Sequence, residues 1–249
     1  MSEMSSSVSI VIPLFNEEQG VLPLVRELKE AVGEWPPLLE VVLVDDGSTD
    51  DTAARVFESI ETDSRFRLIS CPENRGLGAA IRTGLRAANG DVVLYTDADR
   101  PFDLDLIPQL IESASEGSIV IGYRANRGEG ARRAVLTWGY NALIRTTLGI
   151  KVGDVNFACK ILPRKFLRDS TLQSNGSFID AEILAESRRL GYEVLEVPLQ
   201  YHPRTTGRST LSRPMVIVGI LRELMSHLFR SRRHAVSRQL SLDPQVRQP

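Results

Sequence analysis

Between Val8 and Gly122 the chain repeats one unit, a short apolar run followed by a segment with apolar residues at helical spacing. This alternation constrains the fold more than any other feature. Strands joined through helices run parallel in one sheet, with the helices packed on its faces. The apolar runs cover residues 8–12 (ended by Pro13), 38–44, 65–70, 91–95 and 117–122. The helical segments cover about 19–32, 52–60, 77–88 and 104–114, the first carrying Val21, Leu24, Val25, Leu28, Ala31 and Val32 on one face. The expected fold is α/β, a doubly wound and mostly parallel sheet.

In such sheets ligands bind outside the carboxyl ends of the strands. The fourth run leads there into Thr96-Asp97-Ala98-Asp99. Two carboxylates one residue apart repel each other unless a cation neutralises them. Hard divalent cations take one or two carboxylates together with phosphate oxygens and water. Asp97 and Asp99 therefore read as a metal site that holds a diphosphate, or more plainly as an acidic turn in which Asp99 caps a helix. The second run ends in Asp45-Asp46-Gly47-Ser48-Thr49-Asp50. A carboxylate here can accept hydrogen bonds from a ribose or a base, or can brace the turn, while Thr49 or Asp50 caps the next helix. In Asn74-Arg75-Gly76-Leu77-Gly78-Ala79-Ala80, small residues at a helix start let backbone N–H groups approach an anion, or Gly76 simply breaks the strand.

After Gly122 the pattern changes. An arginine-containing loop from Arg124 leads into Arg132, Arg133 and a helix over 131–148. Arginines beside a carboxylate site suit a diphosphate or a phosphorylated acceptor; the plain alternative is a solvated face. Arg124 is the strongest candidate because it ends a strand. Asp154 and Lys160 flank an apolar patch; Asp154 can serve as a general base, orient an arginine or lysine, or pair with Lys160. Asp180 and Glu182 open a helix as dipole partners or as site residues, with the dipole role favoured for Asp180. A strand over 192–199 feeds a donor-rich loop from Tyr201 to Thr210, in which His202 reads as a loop hydrogen-bonder. The segment 214–229 carries a wide apolar stripe interrupted by Arg222 and Glu223 and followed by Arg230, Arg232 and Arg233. Such a helix lies in a membrane interface, or packs on the domain or on a second copy. Residues 234–249 read as a polar, disordered tail.

Composition narrows the function. The 249 residues carry a formal net charge of -2, so no global basic field points to nucleic acid. Cys71 and Cys159 form no CxxC pair, which argues against a disulfide framework or zinc site and for a reducing compartment. Residues 1–7 lack the basic-then-apolar order of a signal peptide. No run approaches the roughly 18–20 apolar residues of a spanning helix. The expected location is cytoplasmic, peripheral on the membrane face if the 213–233 helix is interfacial.

With these pieces in order, the chain resembles the family 2 inverting glycosyltransferases, and among them the polyprenol-phosphate sugar synthases such as the dolichol-phosphate mannose group. The likeness covers 8–212 and rests on Val11-Ile12-Pro13-Leu14-Phe15-Asn16-Glu17, Val44 to Asp50, Asn74 to Ala80, Thr96-Asp97-Ala98-Asp99, Gly122-Tyr123-Arg124, Asp154 to Lys160, and Arg204 to Ser209. It implies a GT-A fold, a GDP-mannose or UDP-hexose donor and a polyprenyl-phosphate acceptor. By resemblance, Pro13, Phe15, Glu17, Asp45 and Asp46 line the nucleoside pocket, and Gly78, Asp97 and Ala98 belong to the nucleotide-sugar site. Asp97 and Asp99 would hold Mg²⁺ or Mn²⁺. Arg124, Arg132, Arg133, Arg204 and Ser209 match phosphate-contacting positions, and Asp154 matches an acid on the acceptor side. Asp154, Arg124 and Asp99 are thus the expected catalytic set.

The chain departs from the resemblance where a third polar metal ligand would stand, at Pro101, and in lacking a glutamine-rich processive motif after Arg204. The rival readings are transfer to a soluble hydroxyl acceptor, for which Asp154 is the candidate base, and a non-catalytic nucleotide-sugar scaffold. A haloacid dehalogenase-type phosphatase is disfavoured because its Asp-x-Asp follows the first strand. A nucleotidyltransferase is disfavoured because Phe15-Asn16-Glu17 stands where its glycine-rich loop belongs. A homodimer is a further expectation.

Overall fold

The structure is a computed structural model that describes residues 6–33, 35, 37–125, 131–202 and 214–242, with backbone alone at 131–136, 214 and 231–242. Strands β1 (Val8–Leu14), β2 (Leu38–Asp45), β3 (Phe66–Ser70) and β4 (Val92–Thr96) alternate with helices α1 (Val21–Val32), α2 (Thr52–Ile60) and α3 (Leu77–Ala87). β1 to β4 pair in parallel, as the alternation requires. β1 continues through Pro13, although the sequence suggested a stop there. Proline has no N–H for the ladder, and β1 pairs with β4 only from Val8 to Val11, so one side of the strand is free of ladder partners at Pro13.

The expected helix over 104–114 is a 3₁₀ turn (Leu104–Leu106) continued by α4 (Ile107–Glu112). It leads to β5 (Ser118–Arg124) and α5 (Ala131–Leu148). The chain then forms β6 (Cys159–Pro163), α6 (Arg164–Asp169), α7 (Ile179–Leu190), β7 (Glu193–Leu199) and α8 (Pro214–Leu242). The sheet order is β3-β2-β1-β4-β6-β5-β7. β6 was not foreseen. It runs antiparallel between β4 and β5 and joins the two parallel halves. Its N-terminal end therefore lies at the same edge as the carboxyl ends of β4 and β5.

Two apolar layers cover the sheet. One packs α1, α2 and α4 against residues such as Ile10, Leu43 and Leu94. The other packs α3, α5, α6, α7 and part of α8 against Val11, Val44, Tyr95 and Ile121. β7 is the outer strand on its side, which explains its alternating exposure. α8 extends to Leu242, into the stretch from 234 that was expected to be a tail. No glycine or proline follows Gly219 until Pro244, and Arg, Gln, Ala and Leu favour a helix. No helix among the described residues is long and apolar enough to cross a membrane.

Candidate functional site

The carboxyl edge of the sheet collects the acids. Asp45 ends β2, Asp46 follows it, and both are buried. Asp46 accepts hydrogen bonds from the backbone N–H groups of Arg75 (3.1 Å) and Gly76 (2.8 Å). It therefore holds the 74–76 loop in place. Asp45 accepts one from Ser48 N–H at 3.2 Å. Gly47 has φ +68, and a Cβ there would meet the Glu73 carbonyl carbon at 2.4 Å, so only glycine lets the two loops close on each other.

The loop after β1 locks onto the same turn. Asn16 N–H donates to Ser48 Oγ, and Asn16 Oδ1 accepts from Thr49 N–H, both at 2.9 Å. Glu17 N–H donates to Thr52 Oγ1. Asp50 accepts from Thr52 N–H and hydroxyl and so braces the start of α2, but the N-cap of that helix is Asp51, where the sequence suggested Thr49 or Asp50. These bonds hold the Asp50 carboxyl below its ordinary value against the opposing effect of burial. The anchoring leaves the Phe15 ring 44 % exposed, as an aromatic platform above the edge. Pro13 is buried in β1, so Phe15, not Pro13, presents surface there.

The 76–80 segment corrects one expectation. A Cβ at Gly78 would meet the backbone oxygens of Ser174 and Gly176, both at 2.6 Å. The start of α3 thus packs closely against the 174–176 loop, and Ala79 N–H donates to Asn175 C=O at 3.2 Å. Carbonyl oxygens crowd the place where an anion would approach, so Gly78 is a packing residue. Ala98 packs into the core between Asp97 and Asp99.

Asp97 and Asp99 are half-buried just beyond β4. The Tyr95 hydroxyl donates to Asp97 Oδ1 at 3.3 Å. Burial, reinforced by Asp180 and Asp97, pushes the Tyr95 phenol well above its ordinary value and keeps it a donor. Among the described residues no group of three His, Cys, Asp or Glu side chains is arranged to hold a metal ion. Two half-buried carboxylates at an open edge fit Mg²⁺ or Mn²⁺, which leave the remaining positions to phosphate and water.

Arg124, the last residue of β5, is buried and its Nε lies 2.8 Å from Asp154 Oδ2. Its guanidinium stacks on Tyr201 at 5.0 Å from the ring centroid and on Phe157 at 5.9 Å. The loop bearing Asp154 is held by Asn141 Nδ2 on Gly153 C=O (3.1 Å) and by Glu196, which accepts from Gly153 N–H (2.7 Å). Lys160 does not pair with Asp154. Its Nζ donates to Asp180 Oδ1 at 2.5 Å and to Phe157 C=O at 2.9 Å. Asp180 is thus a buried ion-pair member, more than the dipole partner the sequence suggested. Burial pushes its carboxyl up, and Lys160 pulls it back. Arg132 and Arg133 lie on α5 with side chains outside the described residues, and Arg204 and Ser209 lie outside them altogether.

With this geometry in hand, the model of glycosyl transferase family 2 matches residues 9–171. The chain belongs to glycosyl transferase family 2. It is 31% identical over 212 residues to dodecaprenyl-phosphate galacturonate synthase of Rhizobium johnstonii, covering 82% of this chain and 62% of that protein. It is 32% identical over 222 residues to undecaprenyl-phosphate 4-deoxy-4-formamido-L-arabinose transferase of Pseudomonas fluorescens, covering 88% of this chain and 64% of that protein. The chain therefore spans somewhat less than two thirds of the length of these two relatives. The fold matches glucosyl-3-phosphoglycerate synthase of Mycobacterium tuberculosis with a TM-score of 0.72 at 24% identity, covering 90% of this chain and 80% of that one. That protein was crystallised with Mn²⁺, UDP-glucose and phosphoglyceric acid. The GT-A fold expected from the sequence is borne out.

Several residues of this family 2 site escaped the sequence. Tyr95 and Tyr201 read only as strand and loop aromatics, yet one donates to Asp97 and the other carries Arg124. His202 sits beside a cavity of about 320 Å³ that Asp99 and Phe102 also line. Its N–H donates to Pro101 C=O, and its Nε2 lies 2.9 Å from Asp103. Asn156 follows Asp154 by two residues, and its buried Oδ1 has no hydrogen-bond partner among the described residues. A lone amide in a loop carries no signal that separates it from a turn residue.

Proposed function

We propose that this chain transfers a sugar, with inversion, from a nucleotide-sugar donor to a polyprenyl phosphate, with Mg²⁺ or Mn²⁺ bound at Asp97 and Asp99. The observation that carries this reading is a convergence at one sheet edge. The two carboxylates after β4 share that edge with a buried arginine at the end of β5, which Asp154 holds and two aromatic rings flank. The names of the curated relatives support the lipid-phosphate acceptor.

Asp45 accepts hydrogen bonds from the nucleoside, Phe15 stacks on it and Glu17 borders it, while Asp46 shapes the pocket from behind. A divalent cation at Asp97 and Asp99 supplies charge neutralisation to the donor diphosphate as the glycosidic bond breaks. Arg124 places a phosphate, with Arg132, Arg133, Arg204 and Ser209 assigned to the same task by family resemblance. A phosphate monoester is largely ionised at neutral pH, with its second pKa near about 6, so the acceptor needs no strong base. Asp154 then acts by orienting Arg124. The outward face of α8 carries exposed Met215, Val218, Leu221, Met225 and Phe229, and it meets the membrane that holds the acceptor. A second copy of the chain is the competing occupant of that face.

The test incubates the purified chain with UDP- and GDP-sugars and with polyprenyl phosphate in vesicles, and detects product by mass spectrometry. The expected result is a lipid-linked sugar that is lost in EDTA and restored by Mn²⁺. Asp99→Ala lowers the rate by roughly 10²–10³-fold, the scale for losing an electrostatic contact to the transition state. Full activity of Asp99→Ala in excess EDTA overturns the metal role. Transfer to a soluble hydroxyl alone overturns the acceptor and returns Asp154 to the role of base.

A further inference from the structure

Away from the acids of the carboxyl edge, α3 and α6 bring four arginines together. Two helices carry the same five-residue pattern, Arg82-Thr83-Gly84-Leu85-Arg86 on α3 and Arg164-Lys165-Phe166-Leu167-Arg168 on α6. The i, i+3, i+4 spacing puts Arg, Leu and Arg on one face of each helix. The two faces border a single cavity of about 420 Å³, closed by the 170–173 loop. Arg164 Nε donates to Gly90 C=O at 3.0 Å, and Arg164 N–H donates to Asp91 C=O, which fixes the cavity near the start of β4. The length of β4 lies between Gly90 and Asp91, which Arg164 holds, and Asp97 and Asp99. The lining includes four arginines and no carboxylate.

The guanidinium groups are incompletely answered by the protein. Arg82 donates to the backbone oxygen of Leu172 and to Asn175 Oδ1, and Arg164 to a backbone oxygen, all uncharged acceptors. Arg82 Nε and Arg164 Nη2 are buried with no hydrogen-bond partner among the described residues. Arg86 and Arg168 make no ion pair among the described residues. Burial and the charge of Arg86 lower the Arg82 pKa; Glu182 and Glu223 oppose this, but both are engaged by the 173–176 backbone. A buried donor without a partner is costly, and a cluster of like charges more so. Guanidinium forks match phosphate oxygens, and Leu85 and Leu167 give the cavity an apolar floor.

We propose that this cavity binds an anionic phosphate group, supplied either by a soluble phosphorylated molecule or by an anionic lipid headgroup. The site is separate from the donor pocket and does not rest on the transfer reaction proposed above.

The test uses the full chain in EDTA and two probes, pyrophosphate in a thermal-shift titration and flotation with vesicles of phosphatidylcholine with or without phosphatidylglycerol. The double variant Arg86→Gln/Arg168→Gln removes two exposed charges and leaves the core intact; Arg164→Gln is the second variant. Pyrophosphate raises the melting temperature of the wild type, and the half-saturating concentration rises roughly tenfold or more in the double variant, as expected for losing charge-assisted hydrogen bonds. A pyrophosphate response lost in the variants, with vesicle binding unchanged, assigns a soluble ligand. Phosphatidylglycerol-dependent flotation lost in the variants, without a pyrophosphate response, assigns a lipid headgroup. Responses to both probes that are equal in wild type and variants, or absent throughout, overturn the site.

Discussion

The two halves of the sheet hold their charges in different ways. Around β1, β2 and β4, the carboxylates of the site are held by backbone N–H groups and hydroxyls: Asp45 by Ser48, Asp46 by Arg75 and Gly76, and Asp50 by Thr52. Around β5, β6 and α7, the charges face opposite charges in the interior: Arg124 with Asp154, Lys160 with Asp180, and Glu182 with Arg230. The first arrangement shapes loops and tolerates loosening. The second takes ions out of water, so removing one partner strands the other. The half around β1, β2 and β4, which we propose binds the donor, is thus a set of braced turns, and the half around β5, β6 and α7, which we propose faces the acceptor, is a set of matched charges.

The sharpest way to break this comparison is Asp180→Leu. Lys160 is then left buried beside Tyr95, and unfolding in urea is expected to show a loss of about 3–5 kcal/mol. Adding Lys160→Met should recover most of it; an equal loss in the double variant would show that volume, not charge, set the cost. Next comes Asp154→Asn, which keeps the shape but releases Arg124. We expect kcat for lipid-phosphate glycosylation to fall about 10²-fold, the scale of misplacing a positioning group, with little change in melting temperature. A smaller effect follows from Asp46→Ala on the braced side. Two N–H groups lose their acceptor, which costs about 1–3 kcal/mol in urea unfolding. Faster amide exchange confined to 74–80 would sharpen the contrast with the global loss in Asp180→Leu.

The smallest effect is on pH. Burial raises the Glu182 carboxyl, but His227 and the N–H groups of Ser174 and Gln173 outweigh it, so its pKa lies below the ordinary 4.5. A depressed carboxyl contributes stability that is present above the unfolded value and lost as pH falls through the folded one. Melting temperatures measured from about pH 6 down to about pH 3 should fall more steeply in the wild type than in Glu182→Gln. Parallel curves would remove Glu182 from the account of how α8 is held.

The same contrast explains what the sequence made legible. In the donor half, strands are unbroken apolar runs and two of the braces, Asp45 on Ser48 and Asp50 on Thr52, sit two or three residues from the groups they hold, so the Thr52–Ile60 helix and the acids after β2 and β4 could be placed directly. Pro13 misled because its missing N–H matters only on a side where β1 has a neighbour. In the acceptor half the decisive partners are far apart in sequence. Nothing near Lys160 announces Asp180, and a charge at the second position of a five-residue run hid β6. Asp154 likewise pointed to a general base, to an unspecified arginine or lysine, or to Lys160, and nothing local singled out Arg124. Gly78 suggested an anion at a helix start because the loop that fills that space, 174–176, lies almost a hundred residues on, by rough count along the chain. The charged cavity beneath α3 and α6 was unreadable for the same reason, since its two arginine patterns meet only in space.

The position of β6 also sets an order of events during synthesis. β1 to β4 can assemble as they emerge, but β5 has no partner among them, because the strand that joins it to β4 is made later. About 35 residues separate the end of β5 from the start of β6, which at roughly 5–20 residues per second leaves β5 waiting about 2–7 s on the ribosome. For that interval β4 shows an open edge beside a growing chain, and the nascent protein is most exposed to mispairing with its neighbours on the same message.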